Sequence, residues 1–234
     1  MASQFRSSLY RVGSVLLHPR QAFEVMVHED VSIGLPLLLA AAIFFAEGAL
    51  IVSAILRAIP LPLGFLIALA GPLAGLGCAV AGVLWLGIEA LLFHVNTVLL
   101  GGEGDITRMF SVVAYSVLPV SIPLGAFALA VLTGGLGALG WLALGGMLWI
   151  AALLWGIVLR VIGTSVNYNV DAGRAFLAAV LIPLADLLFV VFLGKYGLVL
   201  ILAAYGLAYY FTRVQRSRQR ETSLVVEEGG EHEG

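Results

Sequence analysis

Three carboxylic acids lie within long apolar stretches of this 234-residue chain: Glu47, Glu89 and Asp186. A charged group inside hydrocarbon is costly, so such residues are by default candidates for function. Together with His94 they form a candidate intramembrane polar site, and the sequence predicts no Lys or Arg at the depth of the acids. One interpretation is a proton- or cation-coupled site where the acids meet. The other, which we favour, is that each acid separately joins neighbouring helices as a protonated or hydrogen-bonded side chain.

Motifs typical of enzymes do not accompany these acids. The chain has no His-Glu-x-x-His or Gly-x-Ser-x-Gly run, and its four histidines are too scattered for a triad. Residues 135–140 match Gly-x-Gly-x-x-Gly, but no strand precedes them and Arg160 stands where the motif needs an acid. Glu89 and His94 point to different helix faces, and the single Cys78 is expected to be a small buried residue. We therefore expect no catalysis, no cofactor and no metal.

The composition places most of the chain in a membrane. Hydrophobic residues make up 61% of it, charged residues 11%, and the mean hydropathy is +1.06. A soluble domain carries about 25% charged residues. The net charge of −2 offers no basic surface for phosphates, so nucleic acid is excluded as a partner and the lipid bilayer is expected.

Six apolar runs approach the length of about 20 residues that a membrane-spanning helix needs. They cover residues 34–56, 73–99, 109–132, 137–162, 174–194 and 196–212, of which the last is the shortest. The proline- and glycine-rich residues 59–72 predict a hairpin or a shallow interfacial segment. The predicted fold is an all-α polytopic transmembrane helix bundle of about six spans within residues 31–212.

The two ends of the chain differ from this region. Residues 1–30 predict two short amphipathic helices at the cytoplasmic surface, with these apolar faces: Phe5, Leu9, Val12 and Leu16, then Ala22, Phe23, Met26 and Val27. Residues 213–234 are first basic and then acidic, and we expect them to be disordered.

The positions of Lys and Arg predict the orientation. With six spans, only Arg57 and Lys195 lie on the outer side, and the other ten basic residues lie on the cytoplasmic side: Arg6, Arg11, Arg20, Arg108, Arg160, Arg174, Arg213, Arg216, Arg218 and Arg220. Basic residues are retained on the cytoplasmic side, so both termini are predicted to be cytoplasmic.

Small residues recur at four-residue spacing in the second run. They form two lines: Gly71, Gly75 and Ala79, and Ala74, Cys78 and Gly82. Such lines allow a second helix backbone to approach closely in lipid. Whether that helix belongs to the same chain or to another copy is left open, and with it a homo-oligomer or another membrane-protein partner.

A glycine turn and a proline-containing run follow. Gly101 and Gly102 end one predicted helix, and Asp105 is placed to cap the next. Pro119 and Pro123 remove backbone donors from the third run and predict a kinked span. The hydroxyl groups of the preceding Tyr-Ser pair are expected to lie beside the freed carbonyl groups.

These residues resemble a known family. The Gly101-Gly102 turn, followed by Ala-Tyr-Ser-x-x-Pro with Tyr115, Ser116 and Pro119, is similar to the Gly-Tyr-Ser-x-x-Pro segment of the Yip (Ypt/Rab GTPase-interacting protein) domain family. His-Pro-Arg-Gln-Ala-Phe at residues 18–23 resembles the pre-membrane segment of its prokaryotic members.

The resemblance implies an integral membrane protein with a cytoplasmic N-terminus and usually five spans. The six predicted spans of this chain are therefore the five of the family core and one additional span. Eukaryotic relatives act in membrane traffic and bind prenylated small GTPases. Ser-Ile-Gly-Leu-Pro at residues 32–36 replaces their Asp-Leu-Tyr-Gly-Pro, and the N-terminal region is short, which argues against GTPase binding. We expect a non-catalytic membrane-organising or partner-binding module of a prokaryotic plasma membrane. The alternative is a small proton- or cation-coupled transporter or channel.

Overall fold

The computed structural model describes residues 12–28, 33–59, 64–208 and 210, without the side chains of residues 64, 66 and 67. This part of the chain is helical and contains no strand. Residues 12–17 are helical, and the helices that follow them are α1 (Pro19–His28), α2 (Gly34–Ala58), α3 (Gly64–Leu99), α4 (Ile106–Tyr115), α5 (Leu124–Thr133), α6 (Gly135–Tyr168), α7 (Ala172–Phe176), α8 (Ile182–Leu193) and α9 (Lys195–Ala208). A 3₁₀ turn, Leu118–Ser121, joins α4 to α5, and a π-helical turn, Leu177–Leu181, joins α7 to α8.

Five segments in the described part are long and apolar enough to cross a membrane. They are Gly34–Ala58, Ala68–Leu99, Ile106–Thr133, Gly135–Tyr168 and Ala172–Leu193. The helix α9 is also apolar but shorter. The predicted all-α multi-pass bundle is therefore confirmed, whereas a membrane crossing by the sixth run stays a prediction.

The expected hairpin or interfacial segment at residues 59–72 is wrong for its second half. The helix α3 begins at Gly64 and continues through Pro72 for 36 residues. A proline is tolerated within such a helix because neighbouring groups can satisfy the freed backbone. Gly71 packs on α2, where a Cβ atom would lie 3.3 Å from the Ala49 carbonyl oxygen. This glycine therefore provides a close helix contact instead of a turn.

The two lines of small residues on α3 pack against α2 of the same chain. A Cβ atom at Gly75 would lie 2.7 Å from the Phe45 carbonyl oxygen, and one at Gly48 of α2 would lie 2.6 Å from the Cys78 sulfur. The helix that these small residues contact therefore belongs to the same chain. Cys78 itself is exposed, contrary to the expectation of a buried residue, because only one side of it contacts α2.

The third span lies at the centre of the bundle along a glycine face of α6. Half of its most apolar window is buried, compared with 11–22% for the other four spans. Gly145, Gly156 and Gly163 of α6 lie on one helix face and contact Phe127, the Ser116 carbonyl and Val112 in turn. The absence of side chains on that face allows the irregular third span to lie close to α6.

The amphipathic helix α1 packs on protein. Its predicted apolar face is correct, since Ala22, Phe23 and Met26 are buried. Phe23 is only 1% exposed and contacts α6 at Gly163. Of the predicted apolar face of the preceding helix, Phe5 and Leu9 lie outside the described residues, whereas Val12 and Leu16 are partly buried and pack against the protein core.

The connections reveal which ends of the helices share a side of the bundle. The Glu103 amide donates to the Tyr168 carbonyl (3.2 Å), so the α3–α4 connection meets the end of α6. Helix α1 packs near this end, which we call the α1 side. Gly134 lies beside the Arg57 carbonyl at the opposite side. Ala208 of α9 lines the same pocket as Leu99 of α3, so α9 ends on the α1 side.

The glycine face of α6 predicts opposite effects of one substitution at two sites. Gly156→Ala would place a methyl group 2.9 Å from the Ser116 carbonyl oxygen, whereas a Cβ atom at Gly146 meets nothing within 4 Å. Replacing an unstrained helical glycine by alanine gains up to about 1 kcal/mol. We expect Gly146→Ala to keep or raise the thermal midpoint in detergent and Gly156→Ala to lower it. A Gly156→Ala variant as stable as Gly146→Ala would contradict this packing.

Candidate functional site

Glu89 of α3 forms an ion pair with Arg160 of α6. The Arg160 Nε atom lies 2.7 Å from Glu89 Oε1, and Nη2 donates to Oε2 at 3.2 Å. Both side chains are largely buried, with exposures of 13% for Glu89 and 15% for Arg160. The pair connects two spans that are 71 residues apart in sequence.

The expectation that no basic residue lies beside the acids is therefore wrong. The sequence analysis ended the fourth span near residue 162, but α6 extends to Tyr168. Arg160 consequently lies about 12 Å before the end of its helix. Thr164 and Asn167, which lie beyond the predicted end of the span, are buried within this last part of α6.

Glu47 and Asp186 have different partners. Glu47 of α2 lies beside the Trp149 indole of α6, in a contact looser than a regular hydrogen bond. Tyr205 of α9 donates its hydroxyl hydrogen to Asp186 Oδ2 at 2.6 Å. Each of the three predicted acids thus joins a different pair of helices.

Trp149 and Arg160 lie on the same face of α6 but about 16 Å apart along its axis. The two glutamates that they contact therefore meet α6 at different depths. In the part of the chain that the structure describes, no group of three His, Cys, Asp or Glu side chains could hold a metal ion.

His94 contacts the end of α6. Its Nδ1 atom lies 2.5 Å from the Tyr168 hydroxyl oxygen, and the two ring centroids are 5.7 Å apart. This contact separates His94 from Glu89, which turns toward Arg160.

The glycines of the family motif shape the connection beneath Tyr168. Gly101 has φ = 87°, a left-handed conformation that favours glycine. A Cβ atom at Gly102 would lie 3.0 Å from Tyr168 Cβ, and one at Gly104 would lie 2.6 Å from the Asn167 carbonyl oxygen. The glycines therefore end α3 and let the connection pack against the end of α6.

Aspartates cap two of the helices that start on the α1 side, α4 and α7. Asp105 accepts the Arg108 amide hydrogen at 2.9 Å, as predicted. Asp171 caps α7 in the same way through the Arg174 amide at 3.0 Å. The sequence analysis missed this second cap, although an aspartate before a helical run is a recognised start signal.

The third span is interrupted as its two prolines predict. The helix α4 ends at Tyr115, the 3₁₀ turn contains Pro119, and α5 begins after Pro123. Ser116 Oγ donates to the Val112 carbonyl at 2.6 Å. Tyr115 and Ser116 are both buried, so these motif residues belong to the core of the bundle.

The Asp105 cap predicts a pH-dependent contribution to stability. The Arg108 amide holds the pKa of the Asp105 carboxyl below its usual value of about 4. The contribution is therefore present above that value and is lost as the pH falls through the lower folded-state pKa. We expect Asp105→Ala to reduce the free energy of unfolding at neutral pH by about 1 kcal/mol, with a smaller difference in acid. Chemical unfolding in detergent measures both.

Asp105→Asn is the matched control for this prediction. The asparagine side chain can still accept the Arg108 hydrogen and does not titrate. It should preserve most of the stability and remove the pH dependence. Equal stability of all three proteins at neutral pH would show that the cap contributes nothing.

The sequence is similar to a known protein family over most of its length. The sequence matches the Yip1 domain over residues 13–194, which include helices α1 to α8 and all the motif residues. No curated protein and no solved structure gave a match. The helix α9 lies beyond the matched region. Since the match covers most of the 234 residues, the chain belongs to the Yip1 domain family.

Proposed function

We propose that this chain is a non-catalytic module that organises the membrane or binds a partner within it. The ion pair between Glu89 and Arg160 carries this proposal. A coupled transporter needs acids that exchange a proton or a cation within one cavity. Here the best-buried acid is neutralised by an arginine from another span, and the other two acids contact other helices.

The exterior of the described helices supports the lipid bilayer as the main partner. Large apolar side chains on α3, α6 and α8 are exposed, among them Leu84, Met147 and Phe192. A second copy or another membrane protein could cover part of this surface.

We also propose a prokaryotic plasma membrane as the location, with the α1 side facing the cytoplasm. Arg108 and Arg174 lie near the starts of α4 and α7, on the α1 side. Arg57, near the end of α2, and Lys195, at the start of α9, lie on the opposite side of the bundle. Arg160 forms an ion pair within the bundle and is left out of the count. The remaining basic residues are still distributed nine on the cytoplasmic side to two on the outer side in the six-span arrangement. The end of α9 on the α1 side supports two cytoplasmic termini.

The role of the ion pair is tested with Glu89→Gln. Removing one partner leaves a buried arginine without a countercharge, so we expect the free energy of unfolding in detergent to fall by about 3 kcal/mol. The double variant Glu89→Gln/Arg160→Gln should regain part of that loss. Glu47→Gln is the control and should cost less, because the contact of Glu47 is looser.

The same proteins distinguish a module from a transporter. In proteoliposomes with an imposed pH gradient, we expect wild type and Glu89→Gln to show no proton-linked cation flux above that of protein-free vesicles. A flux that wild type carries and that a folded Glu89→Gln variant loses would refute the proposal.

The topology is tested by cysteine labelling in a Cys78→Ala background. Single cysteines at Ser8 and Ser223 should resist an impermeant thiol reagent in intact cells and react after permeabilisation. Lys195→Cys, on the opposite side, is the positive control. Labelling at Ser223 but not at Ser8 would show that α9 does not cross the membrane.

A further inference from the structure

A pocket of about 530 Å³ lies between α3, α8 and α9. Pockets of this size hold small molecules and are usually apolar with a few polar groups. Three polar residues line it, namely Asn96, Asp186 and Tyr205, and the remaining lining residues are apolar. The pocket is separate from the pair of Glu89 and Arg160.

The π-helical turn fixes the orientation of the Asn96 side chain. The Ile182 amide donates to the Leu177 carbonyl, five residues back. Pro183 has no amide hydrogen, so the Ala178 carbonyl lacks a donor from its own helix. The Asn96 Nδ2 atom supplies that hydrogen bond at 3.1 Å. The Oδ1 atom of Asn96 is consequently the free end of the amide.

This oxygen lacks a donor, because the Tyr205 hydroxyl group, with which the Asn96 side chain also interacts, donates its hydrogen to Asp186. Asn96 is 1% exposed, and its Oδ1 atom is buried without a donor. A buried acceptor without a donor is costly. Because Asn96 lines the pocket, this unpaired acceptor points to a ligand with hydrogen-bond donors.

The charge of the pocket narrows the class of ligand. Asp186 accepts one hydrogen bond from Tyr205, and no Lys or Arg is among the described residues that line the pocket. The carboxyl, the Asn96 oxygen and the Tyr205 oxygen are all acceptors. A primary ammonium group offers three donors and a positive charge, which match them. A phosphate or a carboxylate would bring further acceptors and negative charge.

We propose that this pocket binds a single-chain amphiphile with a primary amine head group. The ammonium group contacts Asp186 and Asn96, and the alkyl chain lies along Phe189 and Leu200. Because α9 lies beyond the family match, this site is formed by the family core together with the additional helix. The proposal does not depend on the proposed function, since the two rest on different residues.

The test uses the full chain in detergent with a long-chain alkylamine that carries a photoreactive group in its chain. After illumination, cross-linked peptides are identified by mass spectrometry. We expect labelling of α8 and α9 near Phe189 and Leu200, and competition by the unlabelled amine. A fatty acid of the same chain length with the same photoreactive group should compete and label at least about tenfold more weakly.

Variants separate the head group contacts from simple chain binding. Asp186→Asn keeps the shape and the hydrogen bond from Tyr205 but removes the charge, so the apparent affinity for the amine should fall on the order of tenfold. Leu200→Trp fills the pocket, leaves its polar groups unchanged and should abolish labelling. Glu47→Gln alters an acid outside the pocket and should bind as wild type does.

Two results would overturn the proposal. One is equal labelling by the amine and the fatty acid, which would indicate an unselective crevice for lipid chains. The other is unchanged amine binding by an Asp186→Asn variant whose thermal midpoint equals that of wild type. The flux experiment above is unaffected by either result.

Discussion

Helices in lipid gain nothing from hiding apolar surface from water, because the lipid is as apolar as the helices themselves. The helices of this chain are held together by close packing and by a few polar contacts, and the glycine face of α6 is the surface on which both depend. Gly145, Gly156 and Gly163 allow the third span to approach α6 closely. The same helix carries Trp149 and Arg160 toward the two glutamates.

The irregular third span follows from this central position. Backbone groups without helical partners are tolerated in a membrane only where protein covers them. The region around Pro119 is buried between other helices, and Ser116 and Ser121 bond to carbonyl groups of their own segment. Tyr115 and Ser116 of the family motif are therefore structural residues in the core.

The sequence predicted what depends on local pattern. Apolar runs located the spans, and the type of residue at Asp105 and Pro119 predicted a cap and a break. Glycine and proline at residues 59–72 were ambiguous, because the same residues end helices and permit close helix contacts. Arg160 was misplaced because the apolar run was taken to end near residue 162, whereas tertiary contacts bury the polar Thr164 and Asn167 beyond it. The partners of Glu89 and Asp186 could not be predicted, since they come from helices far along the chain or from the added α9.

The long separation within the ion pair has a consequence for synthesis of the protein. Glu89 enters the membrane 71 residues before its partner emerges from the ribosome. In that interval the nascent chain carries an unpaired acid, which a bilayer disfavours. Glu89 must therefore stay protonated or remain sheltered by the insertion machinery until α6 arrives. Asp186 precedes its partner Tyr205 by only 19 residues. Glu47 of α2 precedes its contact Trp149 by an even longer stretch of chain, so both glutamates depend on the arrival of α6.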